Sequence, residues 1–128
     1  MTRNVKVLVI DDEADFCFFV QKNLTHDGRF DVIVAANGKD GIELARNQQP
    51  DIILLDLVMP DMPGEDVADE LQKYFATAHI PILFITALAT NDDITDTNES
   101  KIGNNYMLPK PVRTKTLIEN ILKILNKQ

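Results

Sequence analysis

Val5-Lys6-Val7-Leu8-Val9-Ile10 runs directly into Asp11-Asp12-Glu13. Apart from Lys6, the first six residues are apolar, and they do not alternate with polar ones. A strand that is apolar on both sides needs cover on both sides, which is the situation inside a parallel sheet flanked by helices. Phe30–Val34, Ile52–Leu55 and Ile80–Ile85 repeat the pattern, and Tyr106–Leu108 is a shorter version of it.

The intervening segments have helical periodicity. Ala14–Leu24 carries Phe16, Phe19, Val20 and Leu24, and Gly28 follows as a stop signal. Asn37 or Gly38 starts a second helix with Ile42, Leu44 and Ala45 before Pro50. Gly64–Phe75 places Val67, Leu71 and Phe75 on one stripe, and Thr114–Leu125 does the same with Leu117, Ile118, Ile121, Leu122 and Leu125. Five strands with helical connections predict an α/β fold, (βα)5, with a doubly wound parallel sheet. The fourth helical segment is the exception. Asn91–Lys101 is rich in Asp, Asn and Thr with Ile94 as its sole large apolar residue, which reads as a short or mobile helix or mostly loop.

At 128 residues the chain is expected to be one domain, 1–128, with 45% hydrophobic and 26% charged residues. Net charge is −7, which disfavours direct binding to nucleic acid. No run reaches the roughly 18–20 apolar residues of a membrane span, and the first residues lack a signal-peptide layout. A cytoplasmic location is the expectation. Cys17, flanked by Phe16 and Phe18, reads as a small core residue.

Functional groups in open α/β sheets gather at the carboxyl ends of the strands. Here those ends carry Asp11-Asp12-Glu13, Asp56, Thr86-Ala87 and Lys110-Pro111. Neighbouring strands lie about 4.8 Å apart, so these acids would crowd and repel unless a cation joined them. An all-oxygen site with few carboxylates favours Mg²⁺. With Mg²⁺ bound, one carboxylate can attack a phosphoryl group, while Lys110 offers a cation and Thr86 a hydroxyl to the phosphoryl oxygens. Glu13 reads as a first-turn helix acid and Asp61 as a solvated loop residue. His26 and His79 have no acid or thiol at ligand spacing.

Val9-Ile10-Asp11-Asp12-Glu13, Leu54-Leu55-Asp56-Leu57-Val58-Met59-Pro60-Asp61-Met62-Pro63-Gly64, Ile85-Thr86-Ala87 and Leu108-Pro109-Lys110-Pro111, in this order, resemble the receiver domain of two-component response regulators. The resemblance spans essentially the whole chain and implies the flavodoxin-like strand order 2-1-3-4-5. It implies that Asp56 accepts a phosphoryl group from a phosphohistidine on a histidine kinase or histidine phosphotransfer protein. It implies that Asp12, Asp56 and the Val58 carbonyl ligate Mg²⁺, with Asp11 holding the ion through water. Thr86 and Lys110 would engage the phosphoryl group, and Lys110–Pro111 would be a cis peptide. The fourth helix, fifth strand and fifth helix would form the output face, leading to an output partner, a fused output domain or a phosphorylation-dependent homodimer.

The chain departs from the family at the switch position, in a Thr86-to-Lys110 stretch that is a little longer and more polar than usual, and at the water-metering positions. Met107 falls at the switch position usually held by an aromatic residue. Either Met107 moves with Thr86, or a bulge turns Tyr106 into that place. The two water-metering positions are the apolar Val58 and Leu88, which predicts slow self-hydrolysis of an aspartyl phosphate. A haloacid-dehalogenase type of phosphohydrolase would need a second Asp where Val58 stands. A flavodoxin-like FMN carrier would need an anion-binding loop where Asp11-Asp12-Glu13 stand. A switch rather than a turnover enzyme is therefore the expectation.

Overall fold

The computed structural model describes residues 3–87, 100–102 and 105–126. Strand β1 (Val5–Ile10) leads to helix α1 (Ala14–Asp27), β2 (Phe30–Ala35), α2 (Gly38–Gln48), β3 (Ile52–Leu55) and α3 (Gly64–Lys73). One helical turn, α4 (Phe75–Ala78), precedes β4 (Ile82–Thr86). Strands β5 (Ser100–Ile102) and β6 (Asn105–Pro109) and helix α5 (Thr114–Asn126) complete the described chain.

The sheet order is β2-β1-β3-β4-β6-β5. The first five of these are parallel, so the expected 2-1-3-4-5 order holds with β6 as the fifth parallel strand. Strand β5 is an addition that runs antiparallel along the outer edge of β6, from Ser100 opposite Met107 to Ile102 opposite Asn105. Ser100 and Lys101 are thus strand residues, where the sequence suggested the end of a helix or loop. The rest of that segment, and Leu88, lie outside the described residues.

Strand parity divides the core. Val7, Val9, Ile52, Leu54, Leu83 and Ile85 face α1 and α5, where Val20, Leu24, Leu117 and Ile121 cover them. Leu8, Ile10, Ile53, Leu55, Ile82 and Phe84 face α2 and α3, where Ala45, Val67 and Leu71 cover them. Each fully buried large aliphatic side chain contributes about 1.5–3 kcal/mol relative to exposure. Cys17 is buried in the first of these layers, as its surroundings in the sequence suggested.

Helix ends follow their signals. Gly28 takes a left-handed conformation (φ 94°) after α1 and donates its N–H to the Thr25 carbonyl. Asn37 caps α2 by accepting from the Asp40 N–H at 2.9 Å. The stripe predicted to run through Phe75 stops short. Tyr74 is extended, α3 ends at Lys73, and Phe75 is 98% exposed instead of buried. The helical spacing of Val67, Leu71 and Phe75 continues in the sequence beyond the point where the backbone turns away.

Candidate functional site

The carboxyl ends of β1 and β3 place two acids side by side. The backbone ladder extends one residue beyond each strand: Asp11 N–H donates to the Ala35 carbonyl at 3.1 Å, and Asp56 N–H donates to the Ile10 carbonyl at 3.1 Å. Asp11 is 2% exposed and Asp56 6%, whereas Asp12 is exposed. One carboxylate oxygen from each of Asp11, Asp12 and Asp56 lies within 4.8 Å of the others.

Lys110 enters from the far side of the crevice, after β6. Its N–H donates to the Thr86 carbonyl at 3.0 Å, and the Lys110–Pro111 peptide is cis. The ammonium lies 2.8 Å from Asp11 Oδ2 and 3.5 Å from Asp56 Oδ2, and it donates to Glu13 Oε1. It also sits 4.5 Å from the centre of the Phe16 ring, a cation–π arrangement. Thr86 is buried at the end of β4. Its neighbour Ala87 is exposed.

One ammonium shared among three acids cannot satisfy each. Burial pushes the Asp11 carboxyl above its usual range, and the Asp56 charge adds to this. Lys110 and the Glu13 N–H, which donates to Asp11 Oδ1 at 2.9 Å, offset only part. Lys110 itself is held above the usual lysine range: burial opposes its charge, but Asp11, Glu13 and Asp56 together outweigh burial. The two shifts describe one imbalance, with too much negative charge for a single lysine. Asp11 Oδ2 is buried and accepts no well-aligned hydrogen bond, although the ammonium lies close to it. A hard cation would supply what is missing: positive charge and directions of coordination that oxygen ligands fill. The residues present therefore fit a divalent metal.

The loop after Asp56 holds its shape by backbone contact. Gly64 N–H donates to the Leu57 carbonyl at 2.8 Å. A Cβ on Gly64 would fall 2.1 Å from the Asp56 carbonyl oxygen, so only glycine admits this approach. Val58 is 57% exposed, and its N–H points to Asp56 Oδ1 at 3.4 Å.

Strand β6 pairs with β4 without a bulge: Leu83 opposes Tyr106, Phe84 opposes Met107, Ile85 opposes Leu108 and Thr86 opposes Pro109. Met107 consequently packs in the α2–α3 layer with Phe84, on the Thr86 side of the sheet, and Tyr106 packs in the α1–α5 layer. Three contacts were not legible in the sequence. Glu13 occupies the N-cap of α1 without a side-chain cap, and its carboxylate pairs with Lys110 instead of simply favouring the helix dipole. Phe16 stacks beneath that lysine. Asp61, expected to be merely solvated, accepts from the Gly38 N–H at 3.0 Å. The partners lie 97, 94 and 23 residues apart, and no local pattern links them.

A parallel sheet in this order, with acids, threonine and lysine at the carboxyl ends of its strands, defines a receiver fold. Residues 7–122 match the response regulator receiver domain family, and the chain belongs to that family, a class of signalling switches in two-component systems. It is 35% identical over 121 residues to Protein PilH of Pseudomonas aeruginosa, covering 94% of this chain and 97% of that one. It is 34% identical over 123 residues to "Probable transcriptional regulator ycf27" of Porphyridium aerugineum, spanning 95% of this chain but 48% of that protein. Among solved structures it resembles the chemotaxis protein CheY4 of Vibrio cholerae, with a TM-score of 0.80 at 25% identity, covering 94% of this chain and 98% of that one. Among the described residues no helix is long and apolar enough to cross a membrane.

Proposed function

We propose that residues 1–128 form one receiver domain that works as a Mg²⁺-dependent phosphorylation switch in a two-component phosphorelay, with Asp56 as the accepting side chain. The observation that carries this reading is the convergence of Asp11, Asp12 and Asp56 with the Lys110 ammonium in one crevice. A carboxylate oxygen of Asp56 attacks the phosphorus of a phosphohistidine on a histidine kinase or histidine phosphotransfer protein. As the new O–P bond forms, the P–N bond breaks. Its electron pair passes to the imidazole, which takes up a proton from solvent. Mg²⁺, when bound, offsets the negative charge on the phosphoryl oxygens. Asp12, Asp56 and the Val58 carbonyl would hold the ion, with Asp11 acting through water. Lys110 then turns from the carboxylates toward the phosphoryl oxygens, and the Thr86 hydroxyl donates to them.

The phosphoryl group stays on the protein, so the outcome is a change of state and not turnover. Thr86 and Met107 lie on one side of the sheet, which favours Met107 over Tyr106 as the residue that moves with the threonine. The signal passes to the β6–α5 side, toward an output partner or a fused output domain. A homodimer formed on phosphorylation is one form it can take. The charge of −7 speaks against direct nucleic-acid binding, and the cytoplasm is the proposed location.

Intact mass after incubation with acetyl phosphate, with and without Mg²⁺, tests the reading. A gain of one phosphoryl group is expected only with Mg²⁺ and not in Asp56→Asn. No gain in the unaltered protein would remove the switch.

A further inference from the structure

The loop that follows Asp56 is tied down at a point that phosphoryl transfer does not use. Asp61 reaches across to α2, where Oδ2 accepts from the Gly38 N–H at 3.0 Å and from the Lys39 N–H at 3.4 Å, and Oδ1 lies 3.2 Å from the Gly38 nitrogen. These are first-turn amides with no carbonyl partner inside the helix, and a carboxylate there also meets the positive end of the helix dipole. The helix does not depend on Asp61 for its cap, because Asn37 already accepts from the Asp40 N–H. The two elements are also in close contact. A Cβ on Gly38 would fall 2.8 Å from Val67 Cγ2 on α3 and 3.2 Å from Met62 Cβ in the loop, so both pack closely against α2 at its glycine.

The same loop begins at Asp56 and carries Val58, whose N–H points back to Asp56 Oδ1. The Gly64–Leu57 bond pins one end of it and the Asp61–α2 bonds pin the middle. We propose that Asp61 is a positioning residue of the metal site, holding the Leu57–Met62 loop so that the backbone at Val58 faces the ion. This rests on the Mg²⁺ reading given above. Asp61 touches neither metal nor phosphoryl group and acts through the loop.

The test is a Mg²⁺ titration of the whole chain, followed by amide NMR, on the unaltered protein, Asp61→Ala, Asp61→Asn and Asn37→Ala. Loss of a residue that orients a metal ligand typically weakens affinity by about tenfold or more. Asp61→Ala is expected to weaken Mg²⁺ binding by about that factor, and Asp61→Asn, which keeps an oxygen acceptor, to recover most of it. Asn37→Ala removes the other cap of the same helix and leaves the loop tied, so its Mg²⁺ affinity is expected to stay unchanged even where its melting temperature falls. If Asp61→Ala does not fold, Asp61→Ser, whose hydroxyl falls short of both amides, takes its place. Wild-type affinity in Asp61→Ala, or equal weakening in Asn37→Ala, would overturn the proposal alone. A wild-type protein that binds no Mg²⁺ would overturn it together with the metal reading.

Discussion

At the amino end of the sheet Asp51 accepts from Arg3 Nη1 at 2.9 Å, from Arg3 Nη2 at 2.6 Å and from the Lys6 N–H at 2.8 Å. At the carboxyl end Asp11 shares one ammonium with Glu13 and Asp56. Burial pushes both carboxyls up. At Asp51 the donors outweigh it and hold the group below the usual range, whereas at Asp11 burial prevails. The two acids flank the same pair of strands, so the difference does not come from the architecture. It comes from how many charges share a partner. An acid with donors of its own is part of the scaffold. A crowded acid at the carboxyl end of a sheet marks a candidate functional site, one that a cation would relieve.

Four perturbations test that contrast. Lys110→Met removes the ammonium that Asp11, Glu13 and Asp56 share and leaves buried Asp11 without it. Breaking such a pair costs about 3 kcal/mol. Urea unfolding in metal-free buffer should register that loss, and Mg²⁺ should recover part of it. A deficit that Mg²⁺ does not touch would mean that the crevice holds no cation. Gly64→Ala forces a Cβ into the Asp56 carbonyl and should cost about 2 kcal/mol by overpacking, with phosphoryl acceptance lost as the Asp56 loop shifts. Normal stability and acceptance would show that the loop yields freely.

Val58→Asn bears on the mouth of the same crevice. An exposed apolar side chain there cannot orient water, and an amide can. Decay of the aspartyl phosphate, followed by intact mass, should quicken about tenfold. An unchanged rate would break the link between this position and hydrolysis.

At the amino end the effect is smaller and depends on pH. Asp51 has its folded pKa below the unfolded value of about 3.9. Its contribution is therefore complete above that value and is lost as pH falls through the folded pKa. Asp51→Asn should cost about 1 kcal/mol at neutral pH and nothing in strong acid, read as merging acid-unfolding curves. Asp11 has the opposite sign. Its raised pKa makes the metal-free protein lose stability as pH rises through the folded value. Mg²⁺ should leave the Asp51→Asn difference unchanged.

Much of the fold was legible in the sequence because short-range patterns decide it. Val5–Ile10 and Ile52–Leu55 begin and end where their apolar runs do, and Gly28 and Asn37 sit at the helix ends that their chemistry favours. The acids, the threonine and the lysine were legible because residue type and strand-end position both appear along the chain. Phe75 was misread because helical spacing persists in a sequence after the backbone has left the helix.

The sequence by itself determined the layered α/β architecture and the placing of Asp11, Asp12, Asp56, Thr86 and Lys110 at the carboxyl ends of the strands. Only the tertiary structure decided which side of the sheet Met107 takes, that Glu13 competes for Lys110, and that Asp61 joins the Asp56 loop to α2. Each of these depends on register or on a contact between distant segments. A local pattern fixes the conformation of a segment, but the partner of a charged side chain is fixed only when the sheet brings separate ends together.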